Sequence, residues 1–172
     1  MPYYHHFSYF LALPFLLVAA GCEHYPTKPK VELAPGEPTT LDDLEVSITK
    51  KSTDEDKKDS VGHKYGWSVD GESRTDLKDA AVPASETSKG QVWSVVVTPN
   101  DGENDGEKAQ EVEVTILNSV PTLESVSLSE TDLTENSAVT CVPDGYADAD
   151  DDDDAYEYSW YVNGAAVSTS AS

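Results

Sequence analysis

The sequence predicts an all-β protein: one β-sandwich module followed by a partial second copy. Three observations carry that prediction. Apolar and β-branched residues alternate with polar ones in short runs, and Asp-Gly and Asn-Gly dipeptides follow two of those runs. A frame of the form Y-x-W-x-V-[DN]-G occurs twice, as Tyr65–Gly71 and as Tyr158–Gly164. No window of useful length carries a 3.6-residue apolar period, so very little helix is expected.

Residues 1–22 contain no Asp, Glu, Lys or Arg, and their apolar core runs from about Phe7 to Ala20. That core is shorter than the ~20 residues a helix needs to span a bilayer, which makes it a signal-peptide core over residues 1–21 rather than a membrane anchor. Its ending, Ala19-Ala20-Gly21-Cys22, resembles the lipobox of bacterial lipoproteins. The resemblance implies cleavage before Cys22 and a diacylglycerol on its thiol. With Glu23 rather than aspartate next, it favours export to the outer membrane or cell surface. An ordinary secretory signal with an incidental cysteine is the alternative.

Residues 22–37 form a Pro-rich stretch; segment 23–38 holds four prolines. Because proline fixes φ and favours extended polyproline II, this stretch is expected to be a semi-rigid tether. The short run Val31–Leu33 leaves room for a first strand within it.

The first module is expected over 38–118. LDDLEVSI (41–48) alternates, and YGWSV (65–69) does so before a hairpin turn. VWSVVVT (92–98) is apolar on both parities, as for a strand with little water on either face, and EVEVTIL (111–117) is a returning strand. NSVP (118–121) marks the boundary.

The second copy covers 119–172, with LTENSAVTCV (133–142) as its early strand. An acidic run precedes each tryptophan frame, STDEDKKDS (52–60) in one copy and ADADDDDDA (147–155) in the other. The openings match as Pro38-Thr39-Thr40 and Pro121-Thr122-Leu123. The repeat therefore spans about 83–93 residues, which excludes short solenoid repeats and suits a β-sandwich of roughly 90–100 residues. Having no counterpart of 72–118, the second copy is expected to be truncated, with exposed strand edges.

These motifs, with Trp93–Gly102 (WSVVVTPNDG), resemble the tandem immunoglobulin-like, polycystic-kidney-disease-type (PKD-like) repeats of bacterial surface lipoproteins. The resemblance covers nearly all of 31–172. It implies an immunoglobulin-like sandwich in which Trp67, Trp93 and Trp160 are structural core residues. It also implies that Cys141, on a strand where such sandwiches often pair a cysteine across the core, is an orphan of truncation.

Charge narrows the partners. The chain carries a formal net charge of −22, and residues 119–172 hold 12 acidic residues and no Lys or Arg. Such a surface repels phosphate, so nucleic acid is excluded as a partner, as are anionic lipid headgroups apart from the lipid on Cys22. Cations and basic surfaces remain.

Six aspartates fall within 148–154. Hard carboxylate oxygens suit calcium, and Asp148, Asp150, Asp152 and Asp154 are the candidate ligands. An EF-hand is ruled out: with Asp148 at its first position, the glycine position holds Asp153 and the glutamate position holds Ser159. A looser inter-strand or inter-domain calcium site is left, against a solvated acidic loop. No enzyme is expected. There is no G-x-S-x-G, H-E-x-x-H, phosphate-cradling glycine loop or C-x-x-C, and His63 reads as a solvated surface histidine. The expected function is that of a non-catalytic spacer, adhesion or binding module recognising a surface protein or carbohydrate. The alternatives are a calcium-dependent ligand-binding module and the stalk of a larger secreted hydrolase.

Overall fold

The computed structural model describes residues 24–55 and 61–171, with side chains to Val167. The signal peptide and Cys22 lie outside the described residues, as do residues 56–60 of the first acidic run. The chain is all-β: β1 (Lys30–Ala34), β2 (Leu44–Lys50), β3 (Gly62–Val69), β4 (Glu72–Arg74), β5 (Ala81–Val82), β6 (Val92–Asn100) and β7 (Val112–Thr115) come first. They are followed by β8 (Thr122–Leu128), β9 (Cys141–Ala147), β10 (Glu157–Val162) and β11 (Ala165–Ala171), and the one helical element among the described residues is a 3₁₀ turn at Ala84–Glu86.

β1–β7 form a sandwich. A three-stranded sheet in the order β1-β2-β5 faces a four-stranded sheet in the order β4-β3-β6-β7. Leu44 and Val82 from the first sheet meet Trp67, Trp93, Val95, Val97 and Val114 from the second, with Ile116 sealing the end. Trp67 and Trp93 are fully buried and stack edge-to-face at 6.3 Å. Each indole N–H donates inside the fold, Trp67 to the Asp79 carbonyl at 2.9 Å and Trp93 to Gln91 Oε1 at 2.9 Å. Burial of these large rings therefore leaves no orphaned donor. Arg74 lies over the Trp93 ring at 5.5 Å and is held in place by Asp76 and Glu86, each 2.8 Å from Nη2.

The two hairpin dipeptides fold as their chemistry requires. Asp70 and Gly71 have φ of 51° and 82°, and Asn163 and Gly164 have φ of 49° and 83°. Positive φ at both central residues defines the two-residue turn whose twist matches that of flanking strands. These turns join β3 to β4 and β10 to β11.

Within the Pro-rich stretch, Val31–Leu33 is a first strand, as the sequence left room for: β1 pairs along β2, with Val31 opposite Ile48 and Leu33 opposite Val46. Pro26, Pro29 and Pro38 are fully buried. A proline ring carries no N–H to leave unpaired, and the carbonyls are used: Pro26 O accepts from Glu107 N and Pro38 O from Leu117 N. Pro121 consequently corresponds to Pro29, each leading into the first strand of its copy, rather than to Pro38. The second copy's early strand is also displaced, beginning at Cys141 rather than near Leu133.

A tight contact fixes the segment before β1. A Cβ added to Gly106 would lie 2.0 Å from Pro26 O. Gly106→Ala should destabilise the sandwich by about 1–3 kcal/mol, as overpacking does. Gly36→Ala, whose Cβ would meet nothing within 4 Å, is the control. Thermal denaturation of the two variants should separate them clearly.

Candidate functional site

The acidic run of the second copy lies against the end of the first sandwich. The platform is built locally. Asp42 accepts from the Thr39 amide at 2.8 Å and from its hydroxyl at 2.7 Å, closing a turn that presents Thr40. Those two bonds hold the Asp42 carboxyl below its ordinary value. The exit from β7 runs beside this turn through a parallel bridge between Thr39 and Leu117. It brings in Ser119, which is 1% exposed although it lies in the boundary segment. The Thr40 and Ser119 hydroxyls are 2.7 Å apart.

Asp150 docks on this platform. Its Oδ1 accepts from the Thr40 hydroxyl at 2.7 Å and its Oδ2 from the Ser119 amide at 2.5 Å. Lys89, on the turn before β6, pairs with Asp152. The acidic loop is shaped from within: Asp148 Oδ1 accepts from the Asp150 amide at 2.7 Å, and Asp151 takes a left-handed conformation at φ 57°. The Thr40 hydroxyl, the Ser119 amide and the Lys89 charge hold Asp150 below the ordinary carboxylate value. Reciprocally, the bond to Asp152 and the charges of Asp150 and Asp148 raise Lys89.

The sequence-predicted ligands divide. Asp148, Asp150 and Asp152 each bring a carboxylate oxygen within 4.8 Å of the others. Asp154 is not part of that trio and instead bonds Tyr156, whose hydroxyl is raised by burial and by that carboxylate. Asp148 Oδ2 is buried and has no hydrogen-bond partner. The three-aspartate arrangement offers the hard oxygens a divalent cation takes, and Lys89 already supplies a cation to one of them.

Thr40, Lys89 and Ser119 are the residues that the sequence reading did not single out. They lie 110, 63 and 31 positions from their aspartate partners, and no spacing pattern in the chain links them.

His63 is not a solvated surface histidine. It is half-buried on β3, its Nε2 is enclosed without a partner, and burial lowers its pKa below the ordinary 6.5.

Trp160 is half-buried on β10 rather than a core residue. β3 carries Trp67 between β4 and β6, whereas β10 pairs with β11 alone among the described residues. Cys141 is a free thiol, half-buried near it.

Comparison of the chain with protein-family models, curated proteins and solved structures finds no match.

Proposed function

We propose that this protein is a lipid-anchored bacterial surface protein in which immunoglobulin-like repeats act as a non-catalytic spacer, adhesion or binding module. The observation that carries the reading is the recurrence of β1–β4 as β8–β11, with the acidic loop of the second copy bonded to the end of the first. Two modules bonded to one another at a junction suit a part that sets distance and orientation. The sheet order β1-β2-β5 against β4-β3-β6-β7 supports the immunoglobulin-like assignment. It corresponds to strands A-B-E facing C′-C-F-G of that sandwich. The Ala19-Ala20-Gly21-Cys22 ending supports the anchor.

The anchor is tested by expression in a bacterial host fed an alkyne-bearing fatty acid. The wild-type chain should take up label and fractionate with membranes, and Cys22→Ala should lose both. A wild-type chain that remains unlabelled and soluble refutes the lipid anchor.

A second reading, a calcium-dependent binding module, is favoured by the enclosed, unpartnered Asp148 Oδ2 beside Asp150 and Asp152. On this reading millimolar calcium raises the melting temperature and slows proteolysis at residues 118–121. Asp148→Asn abolishes both effects. A wild-type protein indifferent to millimolar calcium removes the reading.

A further inference from the structure

Basic residues are few in this chain, and two of them are set against one another. β1 and β2 pair with Val31 opposite Ile48, so an unbroken ladder would place Lys30 opposite Thr49. A bulge at this point leaves Thr49 as an extra residue and places Lys50 opposite Lys30 instead. Directly opposed residues share one face of the sheet, and two like charges there are unfavourable without a partner between them. Carboxylates abound, since the chain has 33 acidic residues against 11 basic ones. Yet the lysine and arginine ion pairs among the described residues take Lys28, Lys64, Arg74 and Lys89, and none takes Lys30 or Lys50. Lysines guard strand edges against pairing, but that role needs no second lysine on the same rung.

The two lysines line a cleft of about 590 Å³ between β1, the end of β2 and the lead into β7. Lys28, Thr49 and Gln110 complete its polar lining, and Glu32 is its one carboxylate. We propose that this cleft binds a phosphate group. Ammonium groups meet phosphate oxygens as compact point charges, and the Thr49 hydroxyl and Gln110 amide are further donors. A dianion between Lys30 and Lys50 turns their mutual repulsion into attraction. Three lysines against one carboxylate make the lining locally positive, although the chain as a whole carries −22. Screening decides which of the two charges a bound ion feels. The acidic loop meets the first copy at Lys89, ahead of β6, whereas Gln110 follows Ala109, whose amide donates to Val97. The strand path from Val92 to Val97 is about 16 Å, two Debye lengths of about 8 Å at physiological salt. The second copy's aspartates are therefore largely screened from the cleft.

The test uses the full chain, with two probes: inorganic phosphate, and vesicles of phosphatidylglycerol or phosphatidylcholine. For the first, lysines are acetylated with a limiting reagent and each site is located by fragment mass. Phosphate should slow acetylation of Lys30 and Lys50 saturably and several-fold, and leave Lys78, an exposed lysine of the first copy, unchanged. Acetate at the same ionic strength should slow neither. Lys30→Gln and Lys50→Gln change exposed side chains and should keep the wild-type melting temperature. Each should nevertheless remove the protection of the lysine that remains. Sedimentation with phosphatidylglycerol beyond that with phosphatidylcholine, reduced several-fold in both variants, assigns the phosphate to a lipid headgroup. Protection by inorganic phosphate without that difference assigns it to a free solute. Equal protection by acetate, equal protection of Lys78, or no response to either probe overturns the proposal. Because neither probe requires Cys22, failure here leaves the anchored-spacer reading standing, and failure of Cys22 labelling leaves this one standing.

Discussion

Trp67→Ala should destabilise the first sandwich by about 3–5 kcal/mol, the range for truncating a fully buried tryptophan. Against a total of about 5–15 kcal/mol for a domain, that loss consumes much of the stability of the module. Three interactions go together. The ring contacts between the sheets at Leu44 and Val82 are lost, Trp93 loses its edge-to-face neighbour at 6.3 Å, and the Asp79 carbonyl loses its indole donor. Trp67→Phe keeps most of the packing and removes the donor, so it should cost distinctly less. Trp160→Ala should cost the least of the three, because Trp160 is only half-buried. Chemical denaturation followed by near-ultraviolet circular dichroism ranks them. A Trp160→Ala loss equal to that of Trp67→Ala would contradict the half-burial of Trp160.

Asp150→Ala should uncouple the two copies while leaving the melting of the first sandwich nearly unchanged. The Thr40 hydroxyl and Ser119 amide lose their carboxylate together, and Lys89 to Asp152 remains the one charged contact described across the junction. Small-angle scattering should show a broader distribution of overall dimensions, and proteolysis at 118–121 should quicken several-fold. Asp150→Asn, which keeps one acceptor oxygen, should fall between. Acid should mimic the alanine variant. Because Asp150 titrates below its ordinary 3.8 when docked, its contribution is fully present above that value and is lost as pH falls through the lower docked value. Lys89, shifted upward, keeps its charge past 10.5. The junction should therefore hold across neutral and mildly alkaline pH and open only in strong acid, with sodium chloride weakening the Lys89 contact throughout.

The legible parts of this protein were those governed by short-range rules. Asp70-Gly71 and Asn163-Gly164 could be read as hairpins because few residues tolerate positive φ at two consecutive positions. The frames at Trp67 and Trp160 could be read as strands because alternation is a local property of a pleated ribbon. The prolines misled for a complementary reason. Composition marks Pro26 and Pro29 as surface-tether residues, yet their burial depends on the carbonyl of Pro26 finding Glu107 from a loop far along the chain. The aspartate trio was half legible. Residues two apart within one turned loop fall near one another, which places Asp148, Asp150 and Asp152 together. Asp154 follows the chain away toward β10.

By itself, the sequence determined the all-β class, the two hairpins, the tandem repeat and the loop in which the aspartates cluster. All of these follow from backbone sterics and side-chain alternation within a few residues. Only the tertiary structure decided that Asp150 bonds Thr40 and Ser119, that Lys89 meets Asp152, and that Trp67 is sealed while Trp160 is half-buried. Those outcomes join positions up to 110 residues apart. Contacts at such separation are set by how whole sheets pack, which local residue patterns do not encode.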